Sequence, residues 1–299
     1  VERKETEIDF SDSLVVVEPD IRLDFIVGQK EAIEALRDLV NQVSFPGIFE
    51  SWAVKKPNAI ALTGPPGTGK TASVRALANE IQCPLMELSY EDLASHLYDD
   101  AISKLREFKA LAAKVSKEHG HVLILIDEAD MLFQDRTEAN AHSGDKKKTN
   151  FFIKWIDGGL EDCENFTIIA TSNVWETVDK ALKRPGRFKE IKFLPLLPED
   201  VLIVMDKHMR LAENRVSRKL FDFSPYDISI SKVKSLTGAS VRDIVENLLL
   251  NKAREHFALA NDNKDLSLAD VSLISFNDFS IGLESHITDV IKTEKRIGF

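Results

Sequence analysis

The chain has 299 residues, 43% of them hydrophobic and 29% charged, and 49 acidic side chains outnumber 39 lysines and arginines to give a formal net charge of −10. This composition excludes a disordered or low-complexity chain, and the acidic balance argues against general nucleic-acid binding, which needs cations to displace counterions from phosphates. A length near 300 predicts one large domain and a smaller one. Two cysteines, Cys83 and Cys163, form no disulfide framework and no metal cluster, so a reduced, cytoplasmic setting is expected. No apolar run approaches the roughly 20 residues of a membrane span. The chain begins at Val1, as expected of an excised or processed piece.

Residues 1–22 hold seven acids against three basic residues and read as an acidic arm or linker, with a possible short strand around Val15-Val16-Val17. Residues 23–198 alternate strands and helices. Ile60-Ala61-Leu62-Thr63 is a short strand that runs into a glycine loop. Thr71 to Ile81 follows as a helix, with Val74, Leu77, Ala78 and Ile81 on one face. Leu85 to Leu88 is a second strand, and Asp100 to Lys117 a helix. Val122 to Ile126 is a continuous apolar run, as in a strand buried on both faces. Phe166 to Ala170 and Ile191 to Phe193 complete five strands. This alternation predicts a parallel sheet between helices. After Pro198 the pattern turns helical (residues 199–214, 230–236, 241–260 and 276–290), which predicts a small C-terminal helical domain over 199–299.

Gly64-Pro65-Pro66-Gly67-Thr68-Gly69-Lys70-Thr71 matches G-x-x-x-x-G-K-[ST], between the strand and the helix that this motif requires. Glycines let backbone amides close around phosphate oxygens, and the helix N-terminus adds a positive dipole end. Lys70 is placed for the β- and γ-phosphates of a nucleoside triphosphate, and the Thr71 hydroxyl for Mg²⁺. Such a site needs an acidic partner at the end of another buried strand. Val122–Ile126 leads into Asp127-Glu128-Ala129-Asp130. Asp127 suits the metal, Glu128 suits a general base for the attacking water, and Asp130 reads as a helix N-cap.

These two motifs together resemble the AAA family within the AAA+ superfamily of P-loop NTPases. Further blocks agree with that family. Asp24-Phe25-Ile26-Val27-Gly28 resembles its segment beside the adenine, and Phe45-Pro46 to Phe49 the region that follows. Ala170-Thr171-Ser172-Asn173 resembles sensor 1, and Asp179 to Phe188, containing Arg184-Pro185-Gly186-Arg187, its second region of homology. The resemblance implies ATP and Mg²⁺ held by Ile26, Val27, Gly28, Pro65, Pro66, Gly67, Thr68, Gly69, Lys70, Thr71, Ala72, Asp127 and His208. It implies that Asn173 contacts the γ-phosphate or the lytic water, and that Arg184 and Arg187 reach a neighbouring subunit's γ-phosphate as arginine fingers. Thr237 to Ile244 lines up with a block of the small domain, where Arg242 takes a sensor-2 position. Leu97-Tyr98-Asp99 falls at the first pore loop, with the aromatic displaced by one residue and the family's glycine absent. The polar stretch 134–150, with Arg136, falls at the second pore loop and subunit contact.

The function so implied is an ATPase that remodels proteins, working as a homo-oligomeric ring, usually hexameric. The alternative is a nucleic-acid-associated AAA+ ATPase of clamp-loader or initiator type. No HExxH zinc motif and no second P-loop occur in these residues, so a single ATPase module is expected.

Overall fold

A computed structural model describes residues 14–15, 21–89, 98–133, 143–158, 165–262 and 272–297. Side chains at 98–100, 143–146, 259–262 and 287–297 are outside that description. Most of the acidic arm, Leu97 and Arg136 also lie outside it. The chain divides into two compact units, 1–194 and 195–299.

The first unit is built on five strands: β1 (Ala59–Thr63), β2 (Leu85–Glu87), β3 (Val122–Ile126), β4 (Phe166–Ser172) and β5 (Phe188–Lys192). All pair in parallel, in the order β2-β3-β4-β1-β5. β5 starts three residues earlier than the sequence pattern placed it: Phe188 is buried at its head, and the exposed Lys189 and Glu190 hide the strand from an apolar-run reading. Leu14 bridges Met86 in antiparallel fashion, so this part of the arm lies on the β2 edge.

Helices cover both faces of this sheet. On one side lie α1 (Lys30–Ser44) and α3 (Lys70–Ile81), with the short α2 (Pro46–Ser51) against α1; on the other lie α4 (Tyr98–His119), the single turn α5 (Ala129–Leu132) and α6 (Ser143–Ile156). The period-2 rule of a strand sorts the core between them. Ile60, Leu62, Leu123 and Leu125 pack under α1 and α3. Ala59, Ala61, Val122, Ile124 and Ile126 face α4 and α6. Small alanines on that face of β1 leave room for a bulky aromatic cluster. Phe133 meets Phe152 edge-on at 5.0 Å, and Trp155 lies 5.6 Å from Phe166.

Buried strands that point their C-terminal ends at one edge bring β1, β3 and β4 together there. In open α/β sheets this is where ligands bind. The second unit contains α7 (Pro198–Val216), α8 (Ile230–Val233), α9 (Gly238–Asp262) and α10 (Phe276–Ile297). The predicted helix at 230–236 is shorter than its pattern, since the chain leaves the helix after Val233. Met205, Val241, Ile244 and Leu283 are buried in this unit, and Phe223 sits 5.4 Å from Phe279.

Candidate nucleotide site

The loop from β1 to α3 is shaped by glycine at three places. Gly64, Gly67 and Gly69 have φ of 141°, 70° and 95°. Gly64 is the most constrained, because a Cβ there would stand 2.1 Å from the Phe193 carbonyl oxygen. Gly69 precedes α3 in left-handed conformation and turns the first helical amides toward the loop. Within the loop, the Thr68 hydroxyl donates to the Pro65 carbonyl at 2.9 Å.

Lys70 is only 7% exposed. Its ammonium donates to the carbonyls of Gly64 and Pro65, each at 2.7 Å, and to Asn173 Oδ1 at 2.8 Å. Burial pulls its pKa below the usual lysine range, and the charges of Asp127 and Asp130 act in the opposite sense. Among the described residues no carboxylate stands within ion-pair distance of it. A buried cation that is held by carbonyls, without a counter-ion, is a fitted seat for phosphate.

Next to it, Thr71 Oγ1 lies 3.2 and 3.3 Å from the two carboxylate oxygens of Asp127. Asp127 also accepts a hydrogen bond from the Thr171 hydroxyl, and the Glu128 amide donates to that same hydroxyl at 3.3 Å. Thr171 thus fixes the carboxylate from β4, a role that sequence reasoning missed. Thr71 and Asp127 present oxygen donors to one point, which is the ligand chemistry of Mg²⁺. Glu128 sits at φ 51° with an exposed side chain, and it, rather than Asp130, takes the N-cap position of α5. Its carboxylate makes no cap hydrogen bond. Asp130 lies in the first turn instead, with a buried, unpartnered Oδ1.

Other expected residues of the first unit are placed as follows. Gly28 turns with φ 73° ahead of α1, after Ile26 and Val27. The adjacent Gln29, which sequence reasoning passed over, is 4% exposed and exchanges two hydrogen bonds with the Leu194 backbone, at 2.7 and 2.9 Å. It ties the entry of α1 to the chain leaving β5. Pro65 and Pro66 are exposed and Ala72 is half-buried in the first turn of α3. Arg184 is exposed and has no ion pair among the described residues. Arg187 is engaged within its own chain, with Asp157 at 2.9 Å.

The remaining residues lie in other places. His208 is half-buried on α7. Arg242, on α9, stands 3.7 Å from both Asp243 and Glu246. Both are in the second unit. Tyr98 begins α4, but its side chain and the whole of Leu97 lie outside the described residues, so the pore-loop assignment has no structural account.

Residues 60–196 match the family described as "ATPase family associated with various cellular activities (AAA)". The chain is 30% identical over 204 residues to the 26S proteasome regulatory subunit 8 homolog of Schizosaccharomyces pombe, which covers 66% of this chain and 50% of that protein. It is 28% identical to the Saccharomyces cerevisiae 26S proteasome regulatory subunit 8 homolog, over 81% of this chain and 59% of that one. It is 28% identical to the ATP-dependent zinc metalloprotease FtsH of a Sulfurovum species, over 93% of this chain and 40% of that one. The chain therefore spans about half the length of the relatives it matches. Among the described residues no helix is long and apolar enough to cross a membrane.

Proposed function

Because this chain carries an ATPase module of the AAA family, we propose that it hydrolyses ATP and couples turnover to the remodelling of a protein substrate, as a ring with active sites at subunit boundaries. The carrying observation is the meeting of Lys70, Asn173, Thr71 and Asp127 at the C-terminal ends of three parallel strands. Lys70 exchanges its carbonyl acceptors for phosphate oxygens. The Gly64–Gly69 backbone lines the phosphate path. Thr71 and Asp127 would hold Mg²⁺, which would supply positive charge at the phosphate oxygens.

Glu128 accepts a proton from water as the water oxygen bonds to the γ-phosphorus. The bond from that phosphorus to the bridging oxygen breaks, and ADP and phosphate leave. Asn173, hydrogen-bonded to Lys70, orients the γ-phosphate or the water with a neutral amide that does not repel either. Arg184, exposed and without an ion pair among the described residues, serves as the finger for a neighbouring subunit. Arg187 serves the same face, and Asp157 positions it. His208 and Arg242 take the nucleotide-binding roles that the family resemblance implies for them, and Leu97 and Tyr98 that of a pore-loop contact with a polypeptide.

The names of the relatives, a proteasome subunit and a protease, support a protein substrate over a nucleic acid. The test is the ATPase rate of the chain with unfolded protein and with DNA. Stimulation by unfolded protein is expected; stimulation by DNA alone would overturn the substrate assignment.

A further inference from the structure

The charge of this protein is unevenly placed. Helices α4 and α6 pack against each other on the aromatic side of the sheet and leave a groove of about 900 Å³ between them. Arg106, Lys109, Lys114 and Lys117 on α4, with Lys147 and Lys154 on α6, line it, and Glu118 is the single acid among the lining residues. In a chain of net charge −10, six cations against one acid is a strong local reversal. The spacing explains it: Arg106 and Lys109, and again Lys114 and Lys117, stand three residues apart on α4, and Lys147 and Lys154 seven apart on α6, so each helix turns basic side chains into the groove. Arg106, Lys114, Lys117 and Lys154 make no ion pair among the described residues.

The groove is not only basic. Ile102, Ala110, Ala113 and Phe151 lie between the two rows as an apolar strip, with Ala113 and Phe151 less than a tenth exposed. The basic row from Arg106 to Lys117 runs along about 16 Å of helix, three turns. An occupant must therefore offer carboxylates on its flanks and apolar side chains between them.

We propose that the α4–α6 groove docks an acidic amphipathic helix of a partner protein, with its apolar side on the Ala110–Ala113–Phe151 strip and its carboxylates against the lysines of both walls. This goes beyond the ATPase reading and does not depend on it. A nucleic acid fits less well. The lining offers no exposed aromatic face for a base to stack on, and the acidic remainder of the chain repels a long polyanion. Five of the six cations are lysines, whose mobile point charges suit carboxylates at varied positions better than a fixed geometry.

The test uses the full chain and two labelled peptides of about four helical turns, one with leucines on one face flanked by glutamates, the other with every glutamate replaced by glutamine. Fluorescence anisotropy should show the glutamate peptide bound at least about tenfold tighter, with the difference shrinking as salt is raised. The double variant Lys114→Glu/Lys117→Glu should lose about tenfold of that affinity and keep the parent ATPase rate and melting temperature. Equal binding of the two peptides, or unchanged binding by the double variant, would overturn the proposal. So would a DNA oligonucleotide that displaces the peptide at lower concentration, or loss of self-association in the double variant without any peptide effect, since the occupant would then be a nucleic acid or a second copy.

Discussion

Arg187 forks onto Asp157: its Nε lies 3.1 Å from Oδ1 and its Nη2 2.9 Å from Oδ2, while Nη1 donates to the Ala181 carbonyl. Two parallel N–H···O bonds fix the guanidinium plane as well as its position. The two arginines of the Arg184-Pro185-Gly186-Arg187 segment are therefore unequal. One is a structural clamp between α6 and the entry to β5; the other points its charge into solvent.

That inequality predicts different phenotypes. Arg184→Ala should leave the melting temperature unchanged and lower ATP turnover at least about tenfold, by removing charge that acts on a phosphoryl group. Arg187→Ala should lower turnover and also cost about 1 kcal/mol of stability, a modest figure because Asp157 is partly exposed. Thermal melts beside steady-state ATPase rates separate the two. An equal melting temperature for both variants would mean that the Asp157 clamp holds nothing.

Action between subunits is checked by mixing. Arg184→Ala subunits and Lys70→Ala subunits are each expected to be strongly impaired alone. Mixed rings should regain part of the activity, because some boundaries then pair an intact phosphate loop with an intact finger. No recovery in rings shown to be mixed would place Arg184 outside the neighbouring site.

Lys70→Ala removes the ammonium seated in the phosphate loop, and charge-assisted bonds of this kind are worth about 1.5–3 kcal/mol each. ATP affinity by calorimetry should fall at least about tenfold. Unchanged affinity would remove the phosphate site from Lys70.

Gly64→Ala tests the loop geometry without touching a charge. A Cβ there meets the Phe193 carbonyl at 2.1 Å, and φ of 141° is already unfavourable for alanine. A destabilisation of about 1–3 kcal/mol is expected, with weaker nucleotide binding as the loop shifts. A melt identical to the parent's would mean that the loop and the Phe193 segment separate freely in solution.

His121 gives a pH dependence far from the nucleotide. It is 5% exposed, lies 3.3 Å from the Thr167 hydroxyl, and burial first, then the Lys56 charge, lowers its pKa to about 3. The unfolded chain protonates near the ordinary histidine value of about 6.5. Between these values the unfolded state binds the extra proton, so stability falls as pH falls, by at most about 1.4 kcal/mol per pH unit. His121→Gln should flatten that slope between about pH 6 and 4 in denaturant titrations. Equal slopes for the parent and the variant would show that His121 is hydrated in the fold.

Much of this was legible in the sequence. The five strands, the phosphate loop and the Asp127-Glu128 pair follow from local patterns: apolar runs, glycine spacing and an acid at a strand end. What was hidden depends on pairing across the chain. Nothing in Val122–Ile126 or Phe166–Ser172 announces that β3 and β4 are neighbours, and only that adjacency brings the Thr171 hydroxyl to Asp127. Gln29 and Leu194 are 165 residues apart and meet only because β5 lies beside β1. Nothing in the sequence pairs Asp157 with Arg187, 30 residues away; the clamp forms only where the end of α6 meets the entry to β5. The basic groove was hidden for the same reason, since its two rows become one surface only when α4 and α6 pack.

The most direct measurement of the central claim is single-turnover ATP hydrolysis by Glu128→Gln, beside its ATP affinity. Glutamine keeps the shape of the side chain and cannot accept the proton of the attacking water. The account predicts parent-like affinity and a turnover lower by about 10²- to 10⁴-fold. Hydrolysis at the parent rate, with ATP bound as tightly, would contradict it.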